Sequence, residues 1–479
     1  MSSPTFVILS FEGPDPYAKA GGLGTRVSEL SKALAAAGFE THLFFVGDPH
    51  LPGHESLAGG KLQLHRWCQW ISQYHPAGVY DGEDIKLEDW DRSLPAWLEK
   101  ELLAPKIAAG ESVVIMGEEW QTTATMASIH EIVEENGWDD RVHLLWNANN
   151  TFSFDRIDWD ALKDSATITT VSKYMKHLMW ELKLDAEVVP NGIPENWLEP
   201  VSRKATQTLP RLFKDRLALV KVARWDPDKR WNMAVDAVAQ MKSLDLKPLF
   251  LARGGLEAHG HEVWARAERN GLKVTSVGWK GSSLEVLLEA MRPALWADMV
   301  VLQGYLSETQ SRALFRTANA VLANSGREPF GLVGLEAMAV GGVAMVGCTG
   351  EDYVTPGHDA IALQTDNPRE IVSHLTYLDR YEGAEMHLRQ EARRSAARYT
   401  WPVVIRRVLL PFLTRLGVPV EIDQPMPHVL DRVLFEGALP VSPAPATRPA
   451  DIFQMHMPRE ARPDLAQRDG RFPATPVAS

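Results

Sequence analysis

The chain has 479 residues, 45% apolar and 23% charged, which is more than one ordinary core can use and points to two domains plus extras. Its formal charge of −12 offers no broad basic field and argues against a general nucleic-acid binder, while an anionic small molecule needs only two or three local cations. Two distant cysteines, Cys68 and Cys348, build neither a disulfide framework nor a Cys-based metal site; with no signal-peptide core at residues 6–9 and no run of about 18 apolar residues, a cytoplasmic protein without a membrane span is expected.

Residues 5–10 read as a buried strand. Val27, Leu30, Leu34 and Ala37 follow at helical spacing, Gly38 stands where a C-terminal cap belongs, and 41–46 read as a second strand. A strand–helix–strand unit implies a parallel sheet covered by helices. Further strands are expected at 113–116, 144–147 and 168–171. Prolines 190, 194, 200 and 210 mark 190–212 as a connector. A second alternating series has strands at 217–223, 248–252, 274–277, 299–302, 320–322 and 343–347, with a helix marked by Trp231, Ala234, Val235 and Val238. From 418 onward the periodicity fades and 11 of the 31 prolines fall in 62 residues, so a disordered or surface-wrapping tail is expected. The fold expected is α/β, with two doubly wound Rossmann-like domains. They are an amino-terminal domain (1–200), a second domain (201–395), a helix returning toward the first (396–417) and a Pro-rich tail (418–479).

Three stretches carry chemistry. Lys19-Ala20-Gly21-Gly22-Leu23-Gly24 lies between the first strand and the first helix, where glycines admit close backbone approach and the helix N-terminus suits phosphate. It is neither Gly-x-Gly-x-x-Gly nor a P-loop, which argues against a nicotinamide-dependent dehydrogenase; a tight turn into a helix reads the same way. Arg224 and Lys229 follow a strand at the carboxyl edge of the second sheet, where open α/β sheets bind ligands, and two cations there can neutralise a diphosphate without metal. A solvated charged turn is the plainer alternative. In the third stretch Glu328 precedes Phe330, Gly331 and Leu332, and Glu336 lies on the helix that begins at Gly331. The two carboxylates can stand up to about 12 Å apart. That roughly spans a donor sugar, a diphosphate and a ribose.

With these residues in hand, a family resemblance appears. Glu328 and Glu336 resemble the Glu-x7-Glu signature of retaining GT-B glycosyltransferases, and the Lys19 to Gly24 loop resembles that of glycogen and starch synthases. Arg224 and Lys229 match the pair that holds the donor diphosphate in that family, and Val189-Pro190-Asn191-Gly192-Ile193 is similar to its segment ending the first domain. The resemblance runs from about residue 5 to 415. It implies a nucleoside-diphosphate sugar as substrate, a carbohydrate or other acceptor, no metal and no further cofactor. The donor would be held by Lys19, Gly21, Gly22, Gly24, Asn191, Arg224, Lys229, Phe330, Gly331, Leu332 and Glu336. Glu328 would sit at the sugar. Where the family often carries a sugar-contacting His, this chain has Asn147, with Asn149 as second match, and an amide cannot titrate near neutrality. Glu119 and Trp120 resemble an Asp-Trp segment expected to contact acceptor or sugar. His143 reads as a packed strand residue, and Trp67, Trp70, Trp90 and Trp97 as core or interface. The implied activity is hexosyl transfer with retention, glucose first. A nucleotide-sugar isomerase and a catalytically impaired nucleotide-sugar-binding protein are the alternatives.

Overall fold

A computed structural model describes residues 3–421 and 425–435. Two open sheets organise it. The first has eight strands: β1 (Thr5–Leu9), β2 (Thr41–Val46), β3 (His54–Leu57), β4 (Leu62–Trp67), β5 (Val113–Glu118), β6 (Val142–Ala148), β7 (Thr167–Thr170) and β8 (Glu187–Val188), in the order β3-β4-β2-β1-β5-β6-β7-β8. Only β3 runs antiparallel. The second has seven parallel strands: β9 (Leu217–Val222), β10 (Pro248–Arg253), β11 (Val274–Val277), β12 (Met299–Leu302), β13 (Ala320–Ala323), β14 (Ala344–Val346) and β15 (Ile361–Ala362), in the order β11-β12-β10-β9-β13-β14-β15.

Each central strand is apolar on both faces because helices cover both sides; Phe6, Val7, Ile8 and Leu9 of β1 are wholly buried. Each sheet reverses its strand order once, between β1 and β5 and between β9 and β13. Loops diverge at such reversals and leave a crevice at the carboxyl ends of the strands. All three stretches of predicted chemistry leave the sheets at these two points, one after β1 and two after β9 and β13.

Several expectations are corrected. The connector at 190–212 is not a plain linker: after a short turn at Glu195–Leu198, Arg203–Phe213 is helical, capped by the Ser202 hydroxyl accepting from the Ala205 N–H. Pro210 is tolerated there near the helix end, and Leu209 and Phe213 are buried. Strands β3, β4, β8 and β15 escaped the sequence reading because they are short or polar at alternate positions. The Pro-rich segment is not wholly without structure either. His428–Phe435 is a helix whose Leu430 is fully buried in the main apolar cluster. Residues 436–479, most of the expected tail, lie outside the described residues.

The chain crosses between its halves twice. Ile193 donates its N–H to the Tyr399 carbonyl (3.0 Å), and Trp401 donates back to Ile193 (3.0 Å). Gly192 is required there, since a Cβ would stand 2.6 Å from the Trp401 ring. The helical segment from Trp401 to Arg415 then buries Val404, Ile405, Leu409 and Leu413 against Phe6, Ile8, Val27 and Leu30 of the first half. Among the described residues no helix is long and apolar enough to cross a membrane.

Candidate active site

A cleft of about 1350 Å³ opens between the two strand-order reversals. Gly21, Gly22, Glu119, Trp120, Asn149 and Asn191 line one wall, and Arg224, Lys229, Glu328, Phe330 and Leu332 the other. Most of the predicted site thus meets around one void.

On the second wall, Arg224 and Lys229 leave the end of β9. Arg224 is exposed. The Lys229 ammonium lies 2.6 Å from Glu328 Oε2, both half-buried. The loop carrying Glu328 is pinned from behind: Glu328 donates its N–H to Thr349 Oγ1 (2.9 Å), and that hydroxyl donates to the Glu328 carbonyl (3.1 Å). Gly350 lets the loops approach, because a Cβ there would collide with the Glu328 and Pro329 carbonyl oxygens. Beneath the pair, the buried Lys221 ammonium donates to Asn324 Oδ1 (2.6 Å) and lies 5.2 Å from the centre of the Trp231 ring. Burial, then the neighbouring Lys229, pulls it down to about 7.

The helix Leu332–Ala339 carries Glu336. Its carboxyl is pushed up to about 8 by burial and by Glu308, and opposed by the Lys19 ammonium from the glycine loop. Glu336 is half-buried beyond the cleft's lining residues, and Lys19 is exposed on its loop. The expected amide cradle at Phe330–Leu332 is only partly free, because the Leu332 N–H donates to the Phe330 carbonyl (3.1 Å).

The glycine loop is a larger correction. Its amides were expected to face phosphate, but Glu12 Oε2 already accepts from the N–H groups of Ala20 (3.1 Å), Gly21 (2.8 Å) and Gly24 (3.0 Å). Glu12 Oε1 accepts from the Tyr80 hydroxyl (2.8 Å). The loop is therefore an anion nest filled by the chain's own carboxylate. Gly22 and Leu23, in the first helical turn, keep N–H groups without an intrahelical acceptor.

Asn147 is also displaced from its expected role. It is buried at the end of β6, donating to Glu118 Oε2 (3.0 Å) and accepting from Thr169 Oγ1 (2.9 Å). Asn149, the second match, reaches the cleft while donating to the same Glu118 oxygen (2.7 Å). Glu118 in turn pairs with Arg26 (3.0 Å), whose Nη1 donates to Asn191 Oδ1 (2.6 Å). This buried network of Arg26, Glu118, Asn147 and Asn191 forms the floor, and its charged centre was missed in the sequence. Two signals could have found it: an arginine in the first turns of an otherwise apolar-faced helix and a glutamate inside a strand.

Glu119 lines the cleft with φ 68° and ψ 170°, a conformation that costs a non-glycine residue roughly 1–3 kcal/mol. Such strain concentrates at functional sites. Burial pushes its carboxyl up to about 8, although the Asn149 N–H donates to it (2.6 Å). His143 is partly buried on β6, and Trp90 is fully buried; Trp67 and Trp97 pack edge to face, while Trp70 is exposed. Among the described residues no group of three or more His, Cys, Asp or Glu is placed to hold a metal ion.

Residues 20–197 match the family described as Glycosyltransferase Family 4, and residues 208–395 match Glycosyl transferases group 1. No curated protein matches the sequence. Among solved structures, sucrose-phosphate synthase from Thermosynechococcus elongatus has a TM-score of 0.61 at 17% identity, covering 87% of this chain and all of that one. The catalytic domain of starch synthase IV from Arabidopsis thaliana, bound to ADP and acarbose, scores 0.59 at 14% identity over 90% of this chain and all of that one. Anabaena HepE in complex with UDP-glucose scores 0.57 at 14% identity over 86% of this chain and 99% of that one. The two halves thus belong, in order, to the Family 4 and group 1 glycosyltransferase families, so that the chain is a glycosyltransferase whose two-domain fold resembles that of the sucrose-phosphate and starch synthases.

Proposed function

We propose that the chain moves a hexose, glucose first, from a nucleoside-diphosphate sugar to a carbohydrate acceptor with retention of configuration and without a metal ion. The observation that carries this is the convergence of Arg224, Lys229 and Glu328 on one wall of a cleft whose other wall holds Glu119, Trp120 and Asn149. Arg224 and Lys229 supply fixed positive charge where the leaving diphosphate develops its own, and Gly22 and Leu23 add main-chain donors. Glu336 accepts from the ribose hydroxyls in its ionised form. Asn149 takes the sugar-contacting place expected of Asn147, which supports the floor instead. Closure of the halves excludes water and limits hydrolysis.

The test is a donor panel of ADP-, UDP- and GDP-glucose with neutral sugar acceptors in EDTA, with the anomeric configuration of the product read by NMR. One donor giving an α-linked product is expected. Arg224→Ala and Glu336→Ala should each lower turnover by about 10²-fold or more. Near-normal turnover in both, or an inverted product, would overturn the reading. Epimerisation of donor in the absence of acceptor would favour the isomerase.

A further inference from the structure

Resting on the transferase reading above, we propose that the acceptor is an uncharged saccharide and that the wall of the first sheet rejects a phosphate ester on it. Three neutral polar atoms on that wall are buried without a hydrogen-bond partner: Trp120 Nε1, Gln121 Oε1 and Asn149 Oδ1. All three residues line the cleft. Buried polar atoms are nearly always paired, so these await a molecule that brings acceptors and donors together. A sugar hydroxyl is both. A dianionic phosphate only accepts, and would leave Asn149 Oδ1 and Gln121 Oε1 facing further lone pairs.

Charge points the same way. Glu12, Glu83, Asp155 and Glu181 line this wall, while none of its described lining residues is Lys or Arg. The Arg156 guanidinium, just behind it, lies 3.7 Å from the centre of the Trp120 ring and faces Asp84 at 3.6 Å. The opposite wall mixes both signs, with Arg224, Lys229 and Arg327 beside Asp226, Asp228 and Glu328, and its cations are the ones assigned above to the donor's diphosphate. An acceptor phosphate would therefore enter a negative field, a repulsive element of the kind that sets specificity. Phe152, 72% exposed at the mouth, offers a ring on which the C–H face of a neutral sugar can stack.

Transfer is measured as nucleoside diphosphate released, using glucose and fructose against glucose 6-phosphate and fructose 6-phosphate. At low ionic strength kcat/KM should be about tenfold or more higher for the neutral sugars, and the ratio should narrow at 0.5 M salt as charges are screened. Glu83→Gln with Asp155→Asn should narrow it about threefold or more. Trp120→Phe, which keeps an aromatic face but removes Nε1–H with the pyrrole half of the indole, should raise KM for the neutral acceptor about threefold to tenfold with the donor KM little changed. A phosphorylated sugar preferred at low salt overturns the inference. So does calorimetric binding of UDP, ADP or GDP without transfer to any neutral sugar, and that result leaves the donor site standing. Failure to bind any of the three diphosphates overturns the transferase reading and this inference with it.

Discussion

Lys229 and Glu328 occupy each other at 2.6 Å, so an incoming diphosphate must compete with a carboxylate for the ammonium. Glu328→Gln should release Lys229. Binding of the bare nucleoside diphosphate should tighten about threefold while turnover falls by about 10²-fold, a split between Kd and kcat that calorimetry and steady-state kinetics read separately. Weaker diphosphate binding together with lower turnover would assign Glu328 to the diphosphate rather than the sugar. Glu336 makes a pH prediction. Its folded value of about 8 lies above the ordinary carboxyl value of 4.5. Its contribution to stability is therefore fully present below pH 4.5 and lost as pH rises through 8. Donor binding runs the other way, because ribose hydroxyls need the carboxylate as acceptor: the donor KM should fall between pH 6.5 and 8.5. Glu336→Gln should flatten both trends, leaving the share owed to Glu119, which is also pushed up to about 8.

Among the elements, the loops after β1, β5 and β6 owe their shape to the buried pair of Arg26 and Glu118, whose side chains are 1% and 0% exposed. Arg26→Ala leaves the Glu118 carboxylate buried with only the amides of Asn147 and Asn149. A loss of about 3–5 kcal/mol is expected in denaturant unfolding; a loss under 1 kcal/mol would show that water or a neighbour compensates. The pair also marks what was legible in the sequence. Strand and helix periods located β1, β2, β9, β10 and the helix bearing Glu336, because central parallel strands are continuous apolar runs. Arg224, Lys229 and Glu328 were legible through their resemblance to a family motif rather than from local chemistry, which a solvated charged turn fits as well, and the structure brings all three to one cleft. Glu12 was not, since nothing local announces that a glutamate seven residues before Lys19 folds back into the loop's amides. Asn147 and Asn149 differ by two positions, and only the register of β6 decides which amide is buried in the floor and which meets the cleft.

For the molecule as a whole, several specific contacts tie the two sides of the cleft together beside the shared apolar packing. Ile193 meets Thr400 in a two-strand bridge, the Lys173 N–H donates to Asp352 (2.7 Å), and Asn196 donates to Glu308 (3.0 Å). Gly192→Ala would force the first of these crossings apart. Donor KM and turnover should both worsen, by about tenfold, with less effect on the unfolding midpoint of either half. Closure matters because Glu336 and Lys19 come from opposite halves and already sense each other in this arrangement. The central claim is that one wall grips a diphosphate through Arg224 and Lys229. The most direct measurement is calorimetric titration of UDP, ADP and GDP, in EDTA, into the full chain and into the Arg224→Ala, Lys229→Ala double variant. One diphosphate should bind without metal, and the double variant should bind it about 10²-fold or more weakly. Equal affinity in the two proteins would contradict the central claim.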